Sequence, residues 1–147
     1  MNILSIFPER LRDLMFFHDD IKSDSLGKAV GISGTCIRSF LRGETIPSLK
    51  NAVAIADFFH CSLNYLAGMS DHYQEVLPRP LPPFYENLRN VMDHLGVSRY
   101  NVAHHSKIQD SNFTNWAKGK QPKFETVCTL AEYLNVSLDY LVGRTDY

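Results

Sequence analysis

The chain has 147 residues, of which 44% are hydrophobic and 21% charged, and its net charge is −1. That balance is ordinary for a globular protein and excludes a nucleic-acid binder that works through bulk positive charge. No apolar run approaches the roughly 20 residues a membrane helix needs, and the opening MNILSIFPER is too short and too charged for a secretory leader. Cys36, Cys61 and Cys128 lack the paired spacing of a zinc site, read as small buried or half-buried thiols, and fit a reducing cytoplasm.

In chain order, Phe7, Leu11, Leu14 and Met15 recur at helical spacing and predict an amphipathic first helix. A short second helix is expected over Leu26–Val30, with Ser23 as its cap in place of Lys22. Gly31–Ser33 forms a tight turn, and a third helix runs over Gly34–Arg42. Gly31 suits a positive φ, Ser33 suits an N-cap, and Gly27 suits a close helix crossing. Ile37 and Phe40 face inward, and Gly43 and Pro47 follow. Ala52, Ile55, Ala56 and Phe59 mark a fourth helix. Ser62 then caps a short fifth helix, whose Leu63, Tyr65 and Leu66 close the core before Gly68 stops it.

The pattern is written twice. SLNYLAGMSD (Ser62–Asp71) returns as SLDYLVGRTD (Ser137–Asp146), and PSLKNAVAIADFFHCSLNYLAG aligns with PKFETVCTLAEYLNVSLDYLVG without a gap. FPERLRDLM likewise matches FYENLRNVM. Repetition at a nearly fixed spacing decides architecture: two copies of one helical unit. Residues 1–71 and 84–147 are the expected units, with a linker at 72–83 that holds four prolines in its last six residues. Such a segment favours an extended spacer spanning roughly 37 Å, near the ~34 Å of one DNA turn. Tyr73, Val76, Leu77 and Leu81 leave open packing against a unit instead.

The stretches LGKAVGIS, FLRGETIPSL and DFFHCSLNYLAG, with GVSRYNVA, NWAKGKQPKFETV and EYLNVSLDYLVGRTD, resemble the lambda-repressor-like (Xre or Cro-like) helix-turn-helix family. The resemblance implies an all-α fold of two tandem five-helix domains. It also implies that the second helix of each pair enters the major groove of double-stranded DNA while the first crosses the backbone. Two departures stand out. Lys107 replaces the turn glycine and is expected in a strained left-handed conformation. Gly34 and Asp110, at the first reading position, offer no side chain and a repelled carboxylate respectively.

Position in the motif nominates Ser33, Thr35, Arg38, Ser39 and Arg42 in the first unit. In the second it nominates Gln109, Ser111, Asn112, Thr114 and Asn115, with Arg99, Lys118 and Lys120 on phosphates. Arginine pairs bidentately with guanine and asparagine with adenine, whereas phosphate contacts only position the helix. His104 and His105 point about 100° apart on a helix and do not chelate one metal. There is no nucleophile constellation and no glycine-rich phosphate loop, so neither an enzyme nor a cofactor is expected. Two functions remain open: a DNA-binding transcriptional regulator, with repression the expected mode, or a protein-interaction module such as an antitoxin or anti-repressor. A homodimer and a separate protein partner also remain open.

Overall fold

The computed structural model describes residues 3–146 and is helical throughout, with no strand among the described residues. It divides into two compact units, Met1–Leu77 and Pro78–Tyr147. The first holds α1 (Ile3–Phe17), α2 (Ser23–Val30), α3 (Gly34–Leu41), α4 (Leu49–Phe59) and α5 (Leu63–Ala67). The second holds α6 (Phe84–Leu95), α7 (Arg99–His105), α8 (Asp110–Ala117), α9 (Phe124–Leu134) and α10 (Leu138–Val142). The all-α, two-unit reading stands.

Each core is built from the helical stripes. Phe7, Leu11, Leu26, Ile37, Ile55, Leu63 and Leu66 are fully buried in the first unit, as are Leu88, Val102, Phe124, Leu130, Leu138 and Leu141 in the second. Burying one such side chain stabilises by about 1.5–3 kcal/mol. A ring contact is repeated as well: Phe7 meets Phe40 edge on at 5.9 Å, and Phe84 meets Trp116 at 5.4 Å. The first and last helices of each unit are clasped by one polar side chain. Arg10 donates to the Tyr65 carbonyl (3.1 Å) and the Ser70 carbonyl (2.9 Å). Asn87, its counterpart, donates to the carbonyls of Tyr140 (3.2 Å) and Leu141 (2.7 Å).

Capping explains most helix ends. Ser33, Ser48, Ser62, Ser98 and Ser137 each accept from the backbone N–H three residues on. That bond satisfies one of the otherwise orphaned donors of the first turn. Gly31 closes α2 at φ +76°, as its place in the turn predicts. A Cβ on Gly27 would strike the Ile32 carbonyl oxygen, so the α2–α3 crossing needs that glycine.

Three expectations are corrected. Ser23 is not the cap of α2 but lies inside it; Lys22 holds the cap position and sends its ammonium to Asp20 (2.7 Å). Lys107 is not left-handed: α7 ends on extended Ser106 (φ −136°), whose hydroxyl donates to the Val102 carbonyl and accepts from the Ile108 N–H. That side-chain turn replaces the glycine turn of the first unit, so no residue there needs a positive φ. Cys36 is exposed, while Cys61 and Cys128 are buried. Buried Ile3 extends the apolar stripe of α1 by one turn, and the helix runs through Pro8.

Residues 72–83 are shared between the units. An isolated antiparallel bridge pairs Glu75 with Cys61, Val76 is buried, and the Tyr73 hydroxyl donates to the Phe59 carbonyl (2.9 Å). Leu77 and Leu81 stay exposed. In the second unit, Arg79 donates to the Gly143 carbonyl (2.9 Å) and pairs with Asp146 (3.1 Å).

Candidate nucleic-acid interface

In the first unit, the turn at Gly31 and the Ser33 cap present α3 with Ile37 and Phe40 facing the core. Thr35, Cys36 and Arg38 are consequently exposed, and Ser39 is half-buried. Arg38 is engaged: its guanidinium pairs with Asp24 of α2 (3.0 Å) and donates to the Thr35 hydroxyl (3.4 Å). Gly34 makes room for that carboxylate, because a Cβ on it would strike the Asp24 oxygen. The missing side chain at Gly34 thus has a local cause. The Ser39 hydroxyl meets that of Thr45 (2.9 Å), and Arg42, which caps α3, pairs with Glu44 (2.9 Å). The hydrogen bond between Arg42 and Glu44 raises the arginine's pKa and lowers the glutamate's.

The second unit reverses the polarity of the clamp. Arg99 of α7 grips Asp110 of α8 with Nε (2.6 Å) and a terminal nitrogen (3.1 Å). It also reaches the Thr114 hydroxyl (2.7 Å) and lies over the Phe113 ring at 5.3 Å. The hydrogen bond from Arg99 holds the Asp110 carboxyl below its ordinary value and raises the arginine. The repulsion expected between Asp110 and a phosphate is therefore offset locally, and the guanidinium nominated for phosphate is occupied. Gln109, Ser111 and Thr114 are exposed, while Asn112 and Asn115 are half-buried. Gln109 holds the N-cap position of α8 without a side-chain cap bond.

Three ammonium groups follow α8 closely: Lys118, which caps it, Lys120 and Lys123. All are exposed, and none makes an ion pair among the described residues. Lys120 also lines an open groove of about 540 Å³ with Arg89, Asn90, Trp116 and Gln121. The two units therefore differ in electrostatics. Both arginines on and after α3 are paired with carboxylates, whereas α8 is followed by unpaired cations.

Sequence reasoning nominated the face of each helix but missed Asp24, Glu44 and Lys123. The signal for Asp24 was Gly34 itself, a residue without a side chain at the start of α3. Lys123 was visible directly after Pro122, at the N-terminus of α9, where the helix dipole adds to its charge. Among the described residues no group of His, Cys, Asp and Glu is placed to hold a metal, and no helix is long and apolar enough to cross a membrane.

Residues 20–66 match the helix-turn-helix family model, and residues 87–146 match that of the Cro/C1-type HTH DNA-binding domain. No curated protein and no solved structure matches the chain.

Proposed function

We propose that this tandem helix-turn-helix chain, whose first unit matches the helix-turn-helix family and whose second matches the Cro/C1-type HTH DNA-binding domain, is a sequence-specific DNA-binding transcriptional regulator, acting as a repressor inside the cell. The observation that carries this reading is the second unit. There α8 offers Gln109, Ser111 and Thr114 on an exposed face, and Lys118, Lys120 and Lys123 follow it unpaired. Ammonium groups at the end of such a helix hold phosphates on either side of a groove, and hydroxyl and amide groups between them reach base edges. The first unit contributes Thr35 and, once released from Asp24, Arg38, whose exposed pair with that carboxylate is worth at most about 1 kcal/mol. Exchanging a carboxylate for guanine's two acceptors is therefore feasible.

A second reading has its own support. Arg38, Arg42 and Arg99 are all held by carboxylates, and the chain is nearly neutral, which fits a helix-turn-helix fold turned to protein binding. Selection of genomic fragments by the purified chain at low and moderate salt separates the two. Enrichment of a common motif, weakened by Arg38→Ala and Thr114→Ala, supports regulation of transcription. Absence of any DNA binding at low salt replaces it with the protein-interaction reading.

A further inference from the structure

Phe16 and Phe17 end α1 with 64% and 83% of their surface exposed, in edge contact at 5.3 Å. Next to them His18 lies against Phe58 (4.9 Å) and Phe59 (5.6 Å). Phe17, His18, Tyr65 and Tyr73 line an open groove of about 380 Å³, together with Asp13 and Leu14. The second unit serves as an internal control. After Met92, at the positions of Phe16 and Phe17, it carries Asp93 and His94, both exposed. The same fold is therefore made without aromatic rings at this corner. Two adjacent exposed phenylalanines, of which Phe17 borders the groove, mark a binding surface.

Charge selects the occupant. Asp13 lies in the groove wall, and Asp19 and Asp20 follow His18 directly. Lys22 pairs with Asp20, but among the described residues no cation pairs with Asp13 or Asp19. Arg10, 4.3 Å over the Tyr65 ring, is held by Asp71 and two carbonyls, so the unpaired charge of the rim is acidic and a phosphate backbone is repelled. Two copies of the chain meeting through this face about a twofold axis would oppose like charges. We propose that this face of the first unit docks a segment of a partner protein that carries apolar anchors flanked by lysine or arginine. Apolar side chains enter between Phe17 and Tyr73, and the flanking cations meet Asp13 and Asp19, the general arrangement of a helix laid into a groove. The surface lies on the end of α1, not on α3, so the proposal does not rest on the DNA reading.

The test is selection of a random peptide library on the full chain, in parallel with the double variant Phe16→Asp/Phe17→His. Those replacements stand at the same positions of the second unit, so the variant is expected to fold, which circular dichroism checks. Enriched peptides are expected to combine apolar residues at helical spacing with Lys or Arg. A synthetic copy should bind the full chain saturably and the double variant roughly tenfold or more weakly. Asp13→Asn/Asp19→Asn should weaken it mainly at low salt. No enrichment, an acidic consensus, or equal binding by the double variant would overturn the proposal. So would a dimer of the full chain that the two replacements dissolve, or loss of DNA affinity in the double variant, since these assign the face to a second copy or to nucleic acid.

Discussion

Gly31 and Lys107 occupy matching corners of the two units, and the chain turns those corners by different means. Gly31 sits at φ +76° with nothing within 4 Å of where a Cβ would be, so Gly31→Ala meets only backbone strain. The expected loss is about 1–2 kcal/mol, read from chemical denaturation. Lys107 has no such conformation, and Lys107→Gly is expected to lose about 0.5–1 kcal/mol through the freer unfolded chain. A gain on that substitution would contradict the serine turn and place Lys107 in a left-handed conformation. Alignment of the copies marked the site of the difference, but a hydroxyl that replaces a glycine turn leaves no periodic trace. The thiols follow the same logic. Burial pushes Cys128 up to about 12, Cys61 is buried, and Cys36 is exposed. A thiol reagent at pH 8 should modify Cys36 alone in the folded chain and all three cysteines in denaturant. Rapid native modification of Cys128 would contradict its place in the core.

At the scale of elements, each unit joins its helices with polar contacts laid over a common apolar frame. The frame was legible: Phe7, Leu11, Leu88 and Val127 announce themselves by spacing, and the serine caps by position. The polar contacts were not, because one carbonyl is served by arginine in the first unit and by asparagine in the second. Arg144 and Asp139 form another polar contact without a periodic trace, 2.6 Å apart with side chains 1% and 5% exposed. Arg144→Ala leaves a buried carboxylate, and the expected cost is about 3–5 kcal/mol. Arg144→Met with Asp139→Leu should recover much of that, since the charge penalty disappears with both partners. Equal destabilisation by the single and double changes would show that the pair stabilises beyond its desolvation cost. The Arg99–Asp110 clamp links α7 to α8 and should respond to pH. Asp110 has a lowered folded pKa, so its contribution is complete above the ordinary carboxylate value near 3.8 and is lost as pH falls through the lowered one. Asp110→Asn should remove that acid-side dependence from the second unit, measured by thermal melts between pH 2 and 5.

For the whole molecule, the duplication sets the division of labour. Each unit has its own core, so fragments 1–77 and 78–147 are each expected to melt cooperatively; a molten fragment would contradict this. If both units hold DNA, as proposed, their covalent joining supplies an effective concentration that turns weak single units into a useful pair. The exposure of the nominated helix faces was readable from the motif, yet the charge pairing on those faces was not. Asp24 and Asp110 are neutralising partners only because the folded helices bring them to Arg38 and Arg99, and Glu44 only because the turn after α3 folds it back on Arg42. The central claim is that phosphate holding resides in the second unit. Its most direct measurement is the salt dependence of DNA affinity for the full chain beside Lys118→Ala/Lys120→Ala. Loss of two phosphate contacts should lower affinity for every sequence and flatten the log–log salt slope by about 2. An unchanged slope and affinity would contradict it.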